Sequence, residues 1–141
     1  MEVVMQNARV VWIEHNAFLG TDSNQHATLV SSQQGESAYG IKPTELFLIS
    51  LASCTAVTFV QVMEKKRQVL TALEIEVEGS QNPEPPWQFE RIRTLFRVRG
   101  VELDPQAVSR SIELAEEKYC SVAASLSERV KLETAFEILP A

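Results

Sequence analysis

The longest apolar pattern in the chain runs from Leu46 to Met63 and is interrupted by Ser50, Ser53, Thr55, Thr58 and Gln61. Pro43 precedes it, and proline suits a first helical turn because the N–H it lacks would have no partner there. Glu64-Lys65-Lys66-Arg67 follows, and its cations suit a helix C-terminus. The pattern predicts a helix from Pro43 to about Lys66, apolar nearly all round and therefore buried on most sides. The polar interruptions favour a buried core helix over a membrane span.

Elsewhere the dominant period is two. Arg9–Ile13 and His26–Val30 are β-prone, Phe18-Leu19 is a short apolar pair closed by Gly20, and Thr21-Asp22-Ser23-Asn24 is turn chemistry. Ser31 to Gly40 reads as a polar loop. Leu73–Glu78 alternates apolar residues with glutamates. In Trp87–Arg99, Ile92, Thr94, Phe96 and Val98 share one face, while Arg91, Arg93, Arg97 and Arg99 share the other. Paired as a long hairpin, the two strands set a glutamate row against an arginine row, either as a solvated ion-paired face or as an anion-binding surface.

Asp104-Pro105 predicts a helix start, with Asp104 as N-cap and Pro105 in the first turn. That helix carries Val108, Ile112 and Leu114-Ala115 inward and ends near Lys118. Val122–Leu126 predicts a short helix that Ser121 can cap, and Val130–Ile138 alternates as a final strand. The order β-β-β, long α, β-β, α-α, β predicts an α+β fold with antiparallel sheets around a long buried central helix. One sheet and two short helices cover only part of so apolar a helix, so a close homodimer is the simplest way to bury the rest.

A chain of 141 residues, 45% hydrophobic, is most simply one domain spanning residues 1–141. Its net charge of −6 argues against nucleic acid or an anionic membrane as partner. Met1–Gln6 has no basic n-region and no cleavage site, so cytoplasm is the expected location. There the two cysteines are expected to be free or redox-active rather than a permanent bridge. With two histidines at unrelated spacings they make no zinc signature.

Cys54 and Cys120 carry the candidate chemistry. A thiol reacts when it is ionised and reachable. Cys120 stands near the start of a short helix, where unpaired N–H groups favour an anion. Cys54 lies deep in the long helix, so its activation must come from a neighbouring element; the competing reading is a small buried core residue. Glu45 cannot reach Cys54 along its own helix, because nine residues at ~100° and ~1.5 Å each place it on the opposite side and about 13–14 Å away. If Glu45 serves the thiol it comes from a second chain; otherwise it is a first-turn carboxylate favoured by the dipole. His15 and His26 read as surface residues, and Tyr119 as a packing residue or a hydrogen-bond donor beside Cys120.

The runs Pro43–Leu48 with Ala52-Ser53-Cys54-Thr55-Ala56, and Ala115–Val122 around Cys120, resemble the two cysteine motifs of OsmC/Ohr-like proteins. Ala8–Trp12 and Phe18-Leu19-Gly20 resemble the YhfA-type branch. The resemblance implies an intertwined homodimer that reduces organic hydroperoxides. In that scheme Cys54 is the peroxidatic thiolate, which becomes a sulfenic acid; Cys120 resolves it to a disulfide, and a dithiol reductant restores the pair. No metal, haem, flavin or other cofactor is implied, and the catalytic set is Cys54, Cys120 and Glu45. Members of the family use an arginine from the N-terminal β region and a glutamate directly after the helix-opening proline. Here no arginine occurs from Val10 to Glu45, Thr44 follows Pro43, and Glu45 comes one position later. Arg9 and Lys42 are the candidate substitutes. Those departures leave a second reading open, a non-catalytic or redox-sensing dimer that binds a small apolar or anionic ligand, and a third, a structural dimer with packed cysteines.

Overall fold

The computed structural model describes residues 2–32 and 39–141. The chain forms two compact units, Met1–Phe47 and Leu48–Ala141.

In the first unit, β1 (Ala8–Glu14), β2 (Ala17–Asp22) and β3 (Ala27–Ser31) make an antiparallel sheet in that order. Gly20 lies inside β2, opposite Val10 and Thr28, rather than closing an apolar pair. The β2–β3 turn is built on Asp22, whose Oδ1 accepts from the Asn24 and His26 N–H groups at 2.9 and 2.8 Å. Asp22 Oδ2 also meets His26 Nδ1 at 2.9 Å. Hydrogen bonds from the His26 backbone and ring hold the Asp22 carboxyl below its ordinary pKa. Every residue of β1 is exposed, including Val10 and Trp12 at 68% and 65%. Of the expected polar loop from Ser31 to Gly40, positions 33–38 lie outside the described residues.

The long helix α1 spans Pro43–Lys65, as its apolar pattern predicts. It ends on Arg67, which takes a left-handed φ of 58° while the Gln68 N–H bonds back to the Met63 carbonyl at 3.0 Å. This closure satisfies a terminal carbonyl at the cost of a strained non-glycine backbone. In the second unit α1 buries Leu51, Ala52, Thr55, Phe59 and Met63, whereas Ile49, Val57 and Val60 stay 46%, 59% and 41% exposed. The helix is long and apolar enough to cross a membrane, but its buried stripe is that of a core helix.

β4 (Val69–Gln81) and β5 (Phe89–Val101) form the long hairpin, with β6 (Lys131–Leu139) on the far side of β5. The β4–β5 pair is antiparallel, as expected. The β5–β6 pair is parallel, which corrects the expectation of antiparallel pairing throughout. The physical reason is the connection: α2 (Pro105–Glu113), a π turn (Leu114–Lys118) and α3 (Ser121–Ala124) carry the chain back to the starting end of β5, and parallel neighbours require such a crossover.

The alternation in β5 is borne out. Ile92, Phe96 and Val98 are buried, and Phe96 and Val98 join Phe59, Met63, Val108, Ile112 and Ala115 in one core. The opposite face is ion-paired: Arg97 meets Glu74, Glu76 and Glu137 at 3.1, 2.6 and 3.0 Å, and Glu133 takes Arg91 and Arg93 at 3.2 and 2.8 Å. Asp104 caps α2 as expected, accepting from the Gln106 N–H at 3.0 Å. Leu114 is 37% exposed rather than inward, because the π turn rotates it away from the stripe of α2.

Candidate active site

Cys54 lies midway along α1, and Cys120 lies where the π turn gives way to α3. The backbone at Cys120 is extended (φ −89°, ψ 102°), which ends one helical segment and opens the next. Cys120, rather than Ser121, is therefore the cap of α3; its sulfur accepts from the Ala123 N–H at 3.3 Å. Cys120 is 3% exposed, Cys54 is half-buried, and both thiols are free.

The two cysteines come together. The Cys54 and Cys120 thiols are close enough to shift each other's ionisation, and the Ser121 hydroxyl stands 4.0 Å from the Cys54 sulfur. Burial opposes ionisation of Cys54, but donors from the Val122 N–H, the Cys120 thiol, and the Ser121 hydroxyl and N–H outweigh it and hold the Cys54 pKa below the ordinary thiol value. Burial raises the Cys120 pKa, and its bond to Cys54 adds to the rise, against opposing bonds from the Ala123 N–H and the Thr55 hydroxyl. The free N–H groups at the start of α3 thus serve mainly the cysteine on the other helix. That reverses the local reading of the sequence, in which Cys120 alone enjoys them. The two thiols are biased in opposite directions, Cys54 toward ionisation and Cys120 against it, an arrangement fit for thiol oxidation and exchange.

Glu45, in the first turn of α1, pairs with Lys42 at 3.6 Å. Arg9 is exposed on β1 opposite Thr21. Tyr119 is 55% exposed, with the Lys118 ammonium 5.4 Å from its ring centre. Among the described residues no three His, Cys, Asp or Glu side chains are grouped to hold a metal ion.

Ser121, Val122 and Thr55 surround the thiols without having been singled out for that role. The only local hint was the helix start directly after Cys120; that α1 meets it at Cys54 is a tertiary fact. A further unforeseen residue is Glu116 in the π turn, whose Oε2 accepts from Thr134 Oγ1 on β6 at 2.6 Å. π turns of this kind recur at functional sites.

This fold and this cysteine pair define a class. Residues 34–135 match the family model described as OsmC-like protein. The chain is 34% identical over 134 residues to Protein YhfA of Escherichia coli K12, covering 95% of this chain and 98% of that one. The chain belongs to the OsmC-like family. Among solved structures, a hypothetical protein from Aquifex aeolicus VF5 superposes with a TM-score of 0.87 at 26% identity, covering 100% of this chain and 99% of that one. An organic hydroperoxide resistance protein from Elizabethkingia anophelis superposes with a TM-score of 0.70 at 12% identity, covering 98% and 99%, which shows a common fold.

Proposed function

We propose that this protein is a thiol-dependent peroxidase that reduces organic hydroperoxides. The observation that carries the reading is the meeting of Cys54 on α1 with the start of α3, where Cys120 is the cap and the Ser121 hydroxyl stands 4.0 Å from the Cys54 sulfur, so that Cys54 is biased toward ionisation and Cys120 against it. The Cys54 thiolate attacks the distal peroxide oxygen, the O–O bond breaks, and the alkoxide leaves as an alcohol after taking a proton. Cys54 is left as a sulfenic acid. Cys120 condenses with it, expelling water, and a dithiol reductant reopens the disulfide by exchange.

The donors at the start of α3 and the Ser121 hydroxyl take the activating part that an arginine plays elsewhere in the family. Glu45 keeps a place in the catalytic set only as a contribution from a second chain. The exposed apolar residues Ile49, Val57 and Val60 on α1 support a homodimer as the working form. The same apolar surroundings favour hydrophobic peroxides over hydrogen peroxide. The cytoplasm is the proposed location.

Replacing Cys120 by serine tests the division of labour. The Cys120→Ser protein is expected to consume one equivalent of an organic hydroperoxide and to stop at a sulfenic acid, seen as a gain of one oxygen in intact mass and trapped by a dimedone-type reagent. No oxygen gain in that variant would sink the peroxidatic role of Cys54. A second reading, a dimer that binds a small apolar or anionic ligand without turnover, is favoured by the absence of arginine between Val10 and Glu45. Persistence of both thiols in the wild-type protein under peroxide would favour it.

A further inference from the structure

The closing of the disulfide leaves a chemical problem at Cys120. The residue is 3% exposed, and its pKa is raised first by burial and then by the neighbouring Cys54. Yet it must shed a proton to become a nucleophile, and bulk water has little access to it.

One polar route leads away from it. The Thr55 hydroxyl is close enough to the Cys120 sulfur to lower its pKa, and it donates to the Leu51 carbonyl at 3.2 Å. Behind Thr55 lies a small cavity lined by Leu51, Thr55, Thr94, Glu116, Leu132 and Glu133, with a volume of about 10 Å³. That is room for about one water molecule, with hydroxyl and carboxylate partners on several sides. At its far side Glu116 is held in place: Thr134 Oγ1 donates to its Oε2 at 2.6 Å and in turn accepts from Thr94 Oγ1 at 3.1 Å. The π turn gives Glu116 this position, four residues before Cys120 on the same segment.

Two carboxylates border the cavity, and their surroundings distinguish them. Glu133 carries Arg91 and Arg93 on its oxygens, and the Arg93 hydrogen bond leads the effects that hold its pKa below the ordinary value. Among the described residues no lysine or arginine pairs with Glu116. The ionisable groups around the route are therefore Cys54 from α1, Cys120 and Glu116 from the π turn and its end, Glu133 from β6, and Arg91 and Arg93 from β5.

We propose that Glu116 receives the proton that Cys120 gives up when it closes the disulfide, by way of the Thr55 hydroxyl and a water seated between Thr55, Thr94 and Glu116. This rests on the peroxidase reading above and assigns the base of its second step. The S–H bond of Cys120 breaks and its electron pair attacks the Cys54 sulfur. The S–S bond forms as the S–O bond of the sulfenic acid breaks, and the departing hydroxide takes a proton from solvent and leaves as water. The Cys120 sulfur is oxidised and the Cys54 sulfur reduced, so no oxidant beyond the hydroperoxide is needed. Glu116 then returns its proton to solvent.

The test separates the two steps in the full-length protein across mildly acidic to mildly alkaline pH. Sulfenic acid formation is read by rapid-mixing peroxide loss, and disulfide formation by quenched-flow intact mass. In Glu116→Gln the amide oxygen still accepts from Thr134, so the fold is kept. The expected result is an unchanged first step and a second step slowed about 10- to 100-fold at neutral pH, a normal range for a lost general base. The defect shrinks at alkaline pH, where Cys120 ionises unaided. Thr55→Val, which removes the relay hydroxyl alone, is expected to reproduce that pH-dependent defect. Disulfide closure at the wild-type rate in Glu116→Gln, or slowing by the same factor at every pH, would overturn the proposal; the latter is the mark of a displaced Cys120. A wild-type protein that never oxidises Cys54 would instead remove the peroxidase reading and this step with it.

Discussion

Replacing Cys54 by serine is expected to abolish peroxide consumption. A serine hydroxyl in the same place stays un-ionised at neutral pH and cannot be carried to a sulfenic acid, so the first step has no nucleophile. The donors around the sulfur would remain, aimed at an oxygen with no charge to stabilise. Turnover should fall by about three orders of magnitude or more, the scale on which loss of a catalytic nucleophile acts. Serine is close to isosteric and Cys54 is half-buried, so the thermal midpoint should move little. Steady-state consumption of an organic hydroperoxide with a small dithiol as reductant measures the effect. Retained turnover in the Cys54→Ser protein would remove Cys54 from the mechanism.

The second large effect concerns the platform rather than the chemistry. Phe59 is fully buried on α1, and its ring meets Phe96 of β5 edge-on, with centroids 5.4 Å apart and planes at 67°. Met63, Val108, Ile112 and Ala115 complete the surrounding core, so few groups are free to collapse into a vacated space. Phe59→Ala is expected to destabilise the protein by about 3–5 kcal/mol, from lost transfer energy plus the cavity left behind. That is a large share of the ~5–15 kcal/mol typical of a folded domain. Because an associating protein gains stability with concentration, denaturant midpoints of variant and wild type must be compared at one protein concentration. A loss below about 1 kcal/mol would mean that α1 does not depend on this contact. Phe59 and Cys54 share one helix, so partial loosening here should also weaken the thiolate's donors before the protein unfolds.

Local chemistry made much of this molecule readable from its residues. The inner row Ile92, Phe96 and Val98 and the outer row of arginines in β5 follow from period two alone, because a strand between a core and solvent must alternate. Asp104 and Pro105 announced α2 through cap chemistry that acts within one turn. The extent of α1 and its C-terminal cations were legible for the same reason, whereas its burial was read as covering most sides and within this chain is confined to Leu51, Ala52, Thr55, Phe59 and Met63.

What escaped reading was set by contacts distant in sequence. The parallel register of β5 against β6 depends on where the crossover returns the chain, which no local pattern encodes. The π turn inserts its irregularity among good helix formers, and with it the outward swing of Leu114 and the inward hold on Glu116. Cys120 as cap replaced the expected Ser121, since a thiol is a poorer cap by residue type and is selected here by its meeting with Cys54. The activation of Cys54 was expected to come from a neighbouring element, but its donors could not be named from sequence: besides the Cys120 thiol they are the Ser121 hydroxyl and the Ser121 and Val122 N–H groups, which carry no catalytic signature.

The most direct test of the account is to mix the reduced protein with one equivalent of an organic hydroperoxide and record intact mass and free thiols within seconds. The account predicts loss of two hydrogens and disappearance of both thiols, the signature of a Cys54–Cys120 disulfide. An unchanged mass with both thiols intact would contradict it.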